Sequence, residues 1–222
     1  MNTQRTIAFV DLAGFTALTE VHGDDTALDL VDTLTAAARN AATATDAELV
    51  KTIGDAVMLA APHPGAGLGA VERVFEAAYA SDAFPEPRAG LHHGPVIARG
   101  GDYFGATVNL AARVASRAGS GQAIGTATIA TAAQAADLDT VPLGPTRLRN
   151  ILEPVELFAI EICPTHVDLS VDPVCRMRLS CQTAVARIRH ANTEHWLCSL
   201  DCARAFVTDP DRYLPAEGPD SP

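Results

Sequence analysis

The chain has 222 residues, of which 48% are hydrophobic and 19% charged, a composition typical of a folded globular protein. Its formal charge of −11 argues against nucleic acid or an anionic membrane as the main partner, because both bind surfaces rich in lysine and arginine. No apolar run approaches the roughly 20 residues of a membrane span, and the N-terminal residues do not resemble a signal peptide, so we expect a cytoplasmic protein.

The first segments of the chain alternate between strand and helix patterns. A short apolar run at 6–10 predicts a strand that ends at Asp11. Apolar residues recur at three- and four-residue spacing from Leu28 onward, which predicts a helix with Asp24 as its N-cap. His22 is expected in the loop before that helix. Asp11, an acidic residue at the end of a predicted strand, is the first candidate functional residue.

Residues 49–58 predict a β-hairpin. Two β-rich runs flank Gly54-Asp55, and glycine at the first position of a two-residue connection is typical of a type II′ turn. Lys51 lies near this turn and is the only lysine among the 16 basic residues of the chain. Because an ammonium and a guanidinium differ in geometry and hydration, a single lysine beside an exposed carboxylate indicates a specific role.

The remaining segments complete an α+β pattern. A second amphipathic helix is predicted at 68–79, a strand at 88–91, and a third helix at 108–118 that carries Asn109 and Arg113 on one face. The order strand, helix, hairpin, helix, strand favours helices packed on a mostly antiparallel sheet. We therefore expect a ferredoxin-like βαββαβ core, with closing strands near 122–125 and 148–162.

Cysteine divides the chain into two parts. Residues 1–162 contain no cysteine, whereas the last sixty residues hold all five: Cys163, Cys175, Cys181, Cys198 and Cys202. We expect a main domain at 1–163, a linker at 164–169, a small module at 170–214 and a flexible tail at 215–222. In a reducing compartment such cysteines are metal ligands or buried thiols rather than disulfides.

Segments 9–16, 51–55 and 102–113 resemble the motifs of the class III nucleotidyl cyclases in order and in spacing. The resemblance runs from about residue 6 to residue 162, and three motifs together are far more specific than any one alone. It implies an enzyme, a phosphorus-oxygen lyase that forms a cyclic nucleotide from a nucleoside triphosphate.

The resemblance assigns a role to each polar residue. Asp11 and Asp55, with the backbone carbonyl of Leu12, would hold two Mg²⁺ or Mn²⁺ ions per active site. The ribose 3′-hydroxyl would attack the α-phosphate and release pyrophosphate. Arg113 would stabilise charge on the phosphoryl oxygens, and Asn109 would orient the ribose.

The Lys51 and Asp102 pair indicates the base. Adenine offers an amino donor and an adjacent ring-nitrogen acceptor, which match a carboxylate and an ammonium. Related guanylyl cyclases carry glutamate and cysteine at these positions, so the resemblance implies ATP as substrate. It also implies a homodimer in which one subunit supplies Asp11 and Asp55 and the other supplies the remaining groups. The alternative is a non-catalytic nucleotide-binding or metal-sensing regulator with a cyclase-like dimerisation domain.

Segments 172–177 and 195–202 resemble the YHS domain and related cysteine modules, over about residues 170–214. Cys198 and Cys202 are four residues apart, as on one face of a helical turn, and Cys175 supplies a third thiol. Soft ligands of this kind favour Zn²⁺, Cu(I) or a toxic heavy metal. The candidates for a fourth ligand are Cys181 and His195, and buried thiols without a metal are the alternative.

Overall fold

The structure is a computed structural model that describes residues 2–81, 83–162 and 169–214. Cys163, residues 164–168 of the expected linker and the expected flexible tail at 215–222 lie outside the described residues. None of the helices in the described ranges is long and apolar enough to cross a membrane.

Helices and strands alternate along the chain broadly as the sequence predicts. The first part contains β1 (Asn2–Leu12), α1 (Phe15–His22), α2 (Asp24–Ala44), β2 (Glu48–Ile53), β3 (Ala56–Ala61), α3 (Pro64–Ala80), β4 (Pro87–Arg99), β5 (Asp102–Phe104), α4 (Ala106–Ala115), β6 (Ala123–Thr126), α5 (Ala127–Gln134), β7 (Thr140–Thr146) and β8 (Val155–Ile160). The second part contains β9 (Leu169–Val171), β10 (Arg178–Ser180), β11 (Ala186–His190), β12 (Thr193–Leu197), α6 (Leu200–Thr208) and a 3₁₀ turn (Pro210–Arg212).

Within the described residues, strands β1–β8 form one sheet in the order β2-β3-β1-β4-β6-β8-β7, with β5 paired to β4. The pairs are antiparallel except β4 with β6. This arrangement confirms the predicted α+β class, and the central order β2-β3-β1-β4 is that of a ferredoxin-like core. Strands β1 and β4 lie side by side near the centre of the sheet.

The two faces of β1 belong to different cores. Ala8 and Val10 are buried with residues of α2 and α3, whereas Ile7 is buried with Ala111 of α4 on the other face. Because successive side chains of a strand point to opposite faces, Asp11 follows Ile7 onto the face that α4 covers. The burial pattern of β1 therefore decides which face of the sheet carries the acidic group.

A β-bulge at Val50 turns Lys51 onto the same face as Asp11. Leu49 pairs with Leu59, but the next pair joins Lys51 to Met58, so Val50 has no direct partner. Met58 is buried on the α4 face, and residues directly opposite each other in a ladder share a face. Without the extra residue, regular alternation would place Lys51 on the α2 and α3 face.

Two glycines let α4 lie close against β4. A Cβ atom on Gly90 would lie 2.0 Å from the backbone nitrogen of Ala115, and one on Gly94 would lie 2.7 Å from Oγ1 of Thr107. A glycine in a strand interior often marks such a close approach of backbone. These contacts fix the height of α4, and with it Asn109 and Arg113, above the sheet.

Strand β4 is longer than the sequence predicts. The expected strand at 88–91 continues through His92 and His93 to Arg99. His92 hydrogen-bonds to Oγ1 of Thr126 at 2.9 Å, and His93 hydrogen-bonds to Oγ1 of Thr6 at 2.9 Å. Burial, together with the neighbouring His93, lowers the pKa of His92 to about 4, so its ring stays neutral inside the fold at pH 7.

A helix that the sequence analysis did not predict precedes α2. Helix α1 covers Phe15–His22, so the expectation that His22 is a loop residue is wrong. Helix α2 begins at Asp24 with Gly23 as its N-cap, one residue earlier than predicted, and Asp24 lies in the first turn. Leu18 of α1 is fully buried against the second part of the chain.

The second part of the chain packs directly on α1 and on the segment before β4. One hydrophobic cluster joins Leu18 and Ala27 to residues of the second part: Val174, Cys175, Met177, Leu197, Cys202 and Phe206. The backbone N–H of Arg178 donates to the carbonyl of Phe84, and its guanidinium lies 4.3 Å from the ring centre of Tyr79. The two parts thus share a core, and the domain boundaries predicted from the sequence stay predictions.

Gly90→Ala should destabilise the protein, because its methyl group would collide with backbone rather than with a flexible side chain. We expect the free energy of unfolding to fall by about 1–3 kcal/mol or more, the range for overpacked sites. Gly69→Ala is the matched control, since a Cβ there meets only Cγ2 of Thr45 at 3.8 Å. Urea unfolding of both variants is the measurement, and equal midpoints would contradict the close approach of α4.

Candidate active site

Two carboxylates meet at the end of the central strands. Ile53 pairs with Ala56, which leaves Gly54-Asp55 as a two-residue loop, and Gly54 has φ of 61°. A type II′ turn has a positive φ at its first loop position and not at its second, so this loop fits the predicted turn. Asp11 lies opposite Ala56 in the ladder, so the turn carries Asp55 next to Asp11.

Arg88 neutralises one of these carboxylates. Its Nε donates to Oδ1 of Asp11 at 2.5 Å and its Nη2 donates to Oδ2 at 2.9 Å. The hydrogen bond to Asp11 raises the pKa of Arg88, whereas burial, and then the neighbouring Asp11 charge, raise the pKa of Asp55. Such crowded oxygen donors suit Mg²⁺ or Mn²⁺, and a cation on Asp11 would compete with the guanidinium. The donor set therefore fits the divalent ions that the sequence analysis expects.

Lys51 of β2 and Asp102 at the start of β5 form an ion pair. Lys51 Nζ lies 2.5 Å from Oδ2 of Asp102, and the backbone N–H of Tyr103 donates to Oδ1 at 2.8 Å. The hydrogen bond from Lys51 lowers the pKa of Asp102. The Tyr103 hydroxyl donates to the carboxylate of Glu48 and accepts from Nε of Arg5 at 3.3 Å. These bonds hold the β4–β5 hairpin over β2.

Asn109 and Arg113 lie on the outer side of α4. Ala111 and Val114 are fully buried on its inner side, whereas Asn109 is exposed and Arg113 is half-buried. Among the described residues, neither polar side chain bonds to Asp11 or Asp55. Within one chain, Asp11 therefore lies beside Asp55, and Lys51 pairs with Asp102. The side chains of Asn109 and Arg113 face outward from α4.

A cavity of about 310 Å³ adjoins the carboxylates. Leu12, Gly14, Asp55 and Arg88 form one side, and the second part of the chain supplies the opposite wall: Pro173, Val174, Arg176, Arg212 and Tyr213. Nothing in the sequence motifs indicates that the cysteine module reaches this cavity. Its contribution follows from the packing of that module on α1.

The three predicted metal ligands of the module also meet. The sulfur atoms of Cys175, Cys198 and Cys202 lie within 4.8 Å of one another, and Nε2 of His22 completes the cluster within the same limit. Cys198 precedes α6 rather than lying in it, because Ser199 is the N-cap. Sequence reasoning missed His22, since it lies in the first part of the chain.

Neither expected candidate for the fourth ligand belongs to this cluster. Cys181 is exposed. The ring of His195 packs against Phe206 with 4.9 Å between ring centres, and its buried Nε2 has no hydrogen-bond partner among the described residues. His22 takes the place that the sequence analysis assigned to one of these two residues.

Comparisons with known proteins point to one family. The profile described as Adenylate and Guanylate cyclase catalytic domain matches residues 2–161. The chain is 38% identical over 161 residues to a pH-sensitive adenylate cyclase of Mycobacterium tuberculosis, covering 71% of this chain and 40% of that protein. It is 39% identical over 110 residues to an adenylate cyclase of Streptomyces griseus, covering 50% and 28%.

Solved structures agree with this result. An adenylate cyclase of Trypanosoma brucei in its monomeric state superposes with a TM-score of 0.64 and 25% identity, covering 73% of this chain and 91% of that one. The adenylyl cyclase CyaB of P. aeruginosa shares the fold, with a TM-score of 0.61 and 19% identity, covering 77% and 98%. The chain spans less than half the length of the curated relatives above.

Replacing Arg88 should strengthen divalent-ion binding at the carboxylates. In Arg88→Met the competing guanidinium is gone, and we expect Mn²⁺ to bind about tenfold more tightly, the equivalent of one charged hydrogen bond. Titration of Mn²⁺ without nucleotide, followed by electron paramagnetic resonance, is the measurement.

Two variants control this titration. Arg99→Met removes an exposed arginine of the same strand and should leave Mn²⁺ binding unchanged. Asp11→Asn added to Arg88→Met should abolish the gain. Unchanged or weaker binding by Arg88→Met would show that the guanidinium does not compete for this site.

Proposed function

The chain belongs to the adenylate and guanylate cyclase family, and we propose that it is an adenylate cyclase that converts ATP to 3′,5′-cyclic AMP and pyrophosphate. The observation that carries this proposal is the Lys51–Asp102 pair, whose side chains are 38% and 25% exposed. Both groups remain accessible to a base, and both are turned to the face that carries Asp11. The curated relatives named adenylate cyclase support the same reaction.

The base would be read by complementary charge. The carboxylate of Asp102 accepts from the amino group of adenine, and the ammonium of Lys51 donates to the adjacent ring nitrogen. The two groups bind each other at 2.5 Å, which holds each side chain in a defined position. Guanine offers an acceptor where adenine has its amino donor, and it would meet the carboxylate unfavourably.

The phosphates would lie near the carboxylates. Asp11, Asp55 and the carbonyl of Leu12 are the groups that would hold two Mg²⁺ or Mn²⁺ ions. When bound, such ions supply activation of the ribose 3′-hydroxyl and neutralisation of phosphate charge. Arg88 balances the charge of Asp11 at 2.5 Å, and a cation bound to Asp11 would replace this guanidinium.

The active site is proposed to lie between two copies of the chain. Asn109 and Arg113 face outward on α4, where a partner's carboxylates can meet them. Ile97 and Phe104, which pair between β4 and β5, are about half exposed. Exposed apolar pairs of this kind are compatible with a contact surface. In the dimer, Arg113 would stabilise charge on the phosphoryl oxygens and Asn109 would orient the ribose.

The alternative is a regulator that binds nucleotide but does not catalyse its conversion. Turnover of ATP with Mn²⁺ decides between the two functions, because a regulator would bind nucleotide without forming a cyclic product.

We also propose that Cys175, Cys198 and Cys202 bind a soft metal ion such as Zn²⁺. All three are free thiols, and three thiolates are typical ligands of structural zinc. Free thiols of this kind persist in a reducing compartment, which supports a cytoplasmic location.

The base-selection hypothesis predicts nucleotide preference. The wild type should form cyclic AMP from ATP and little cyclic GMP from GTP. Lys51→Glu combined with Asp102→Cys should lower the ratio of kcat/KM for ATP over GTP at least about tenfold, the effect of about one lost specific hydrogen-bond pair. Both nucleotides are assayed on one preparation. Equal turnover of both by the wild type would sink the hypothesis.

The shared-site hypothesis predicts recovery of activity in mixed dimers. Asp11→Ala and Asn109→Ala should each be nearly inactive alone. In a mixed dimer one site collects both defects and the other collects neither, so random pairing should restore about a quarter of wild-type activity. Native mass spectrometry confirms subunit exchange, and each variant mixed with itself is the control. Confirmed exchange without recovery would require each site to lie within one chain.

A further inference from the structure

Four of the six distances between the ligand atoms of the cysteine and histidine cluster are those of a tetrahedral site, and the other two are within 4.8 Å. The sulfur of Cys198 lies 3.5 Å from that of Cys175 and 3.6 Å from that of Cys202. Nε2 of His22 lies 3.6 Å from the sulfur of Cys198 and 3.5 Å from that of Cys202. A disulfide needs about 2.05 Å. A tetrahedral ion with bonds of about 2.3 Å to sulfur and about 2.0 Å to nitrogen has edges of about 3.5–3.8 Å.

The loops that carry the cysteines are held in place by a buried carboxylate. Asp172 is fully buried, and its two oxygens accept from the backbone N–H groups of Val174 and Cys198, each at 2.8 Å. Ser199 caps α6 by accepting from the N–H of Cys202 at 3.0 Å. Hydrogen bonds of this kind orient ligands before an ion binds. Three thiols are therefore fixed around one point.

His22 reaches that point from the catalytic part of the chain. It is the last residue of α1, which begins at Phe15, shortly after the carboxylate of Asp11. Leu18 of the same helix is buried in the core that α1 shares with the cysteine module. The helix therefore has a fixed position, and its last side chain closes the fourth side of the cluster.

We propose that His22 is the fourth ligand of a Cys₃His metal site that fastens the cysteine module to the catalytic part of the chain. This inference rests on the proposed soft-metal site of the module and adds to it a ligand from outside the module. An ion of the Zn²⁺ class fits, because the donors are three sulfurs and one imidazole in tetrahedral spacing.

Backbone hydrogen bonds connect the segment next to Cys175 with the candidate active site. The carbonyl of Arg176, next to Cys175, accepts from the N–H of Glu86 at 3.1 Å, and the carbonyl of Glu86 accepts from the N–H of Ala13 at 3.0 Å. The side chain of Arg176 covers Gly14, where a Cβ would lie 2.7 Å from its Cγ. The segment that carries Cys175 and Arg176 thus contacts the turn between β1 and α1, directly beside Asp11.

Arg176 has an unusual backbone for its residue type. Its φ is 60°, in the left-handed region that favours glycine, and its guanidinium donates to the carbonyl of Tyr213 at 2.7 Å. Both residues line the 310 Å³ cavity opposite Asp55 and Arg88. An ion bound by both Cys175 and His22 would therefore hold the cavity wall that the cysteine module forms against the wall that the first part of the chain forms. Loss of the ion should loosen that wall.

The test uses the full chain, kept reduced and loaded with Zn²⁺ or Co²⁺. Wild type should bind about one ion per chain, and its Co²⁺ form should show the absorption of a tetrahedral thiolate site. His22→Ala should weaken Zn²⁺ binding at least about tenfold and shift the Co²⁺ bands. His22→Cys should restore tight binding with a four-sulfur spectrum. Cys198→Ser should lose binding more severely.

Matched controls come from the residues outside the cluster. His195→Ala and Cys181→Ser should leave affinity and spectrum unchanged, since neither residue belongs to the cluster. A wild-type chain that binds neither Zn²⁺ nor Co²⁺ would refute the metal site of the module and leave the cyclase proposal standing. Metal binding that His22→Ala leaves unchanged in affinity and spectrum would overturn the shared ligand alone.

Hydrogen exchange tests the fastening separately. Removal of the ion from wild type should lower the protection of amides in α1 and in the module together. In metal-loaded His22→Ala the module should stay protected while α1 exchanges faster. Protection of α1 that does not depend on the ion would overturn the role of the site as a bridge between the two parts.

Discussion

The register of β1 between β3 and β4 is the constraint on which the rest of the structure depends. Val10 is fully buried on one face of the sheet, which forces its neighbour Asp11 onto the other face. A slip of one residue would place the carboxylate in the α2 and α3 core, so the register is strongly specified. The same register sets Arg88 opposite Asp11 and brings the Asp55 turn alongside. The pairing of β1 with its two neighbours therefore brings the residues of the acidic site together.

The close approach of α4 to the sheet also explains why its polar face points outward. Gly90 allows the helix backbone to approach β4, which buries its alanine-rich inner side. The outer side then has no sheet to pack against, and it carries Asn109 and Arg113. In the proposed dimer, this exposed face would complete a site in another copy. The cysteine module lies elsewhere, against α1, and leaves this side of α4 uncovered among the described residues.

Local sequence patterns predicted much of the fold and of the site. The Gly54-Asp55 hairpin, the order of strands and helices, and the separation of the cysteines all follow from neighbouring residues. The motifs predicted that Lys51 and Asp102 bind the same base, and the structure brings the two side chains within 2.5 Å of each other, while their role stays a prediction. The boundaries were less well predicted: β4 continues past Leu91 because β1, far away in sequence, pairs with it as far as Ile97.

Sequence by itself determined which chemical groups the chain carries and most of the segments that form strands and helices, although α1 and α5 were not predicted. Tertiary structure alone decided where those groups meet. The bulge at Val50 depends on how β2 fits against β3, and the neighbourhood of His22 and Cys202, 180 residues apart, depends on α1 packing into the module core. The physical reason is that periodicity and turn chemistry act over a few residues, whereas register shifts and shared cores are set by contacts that exist only once the chain is folded.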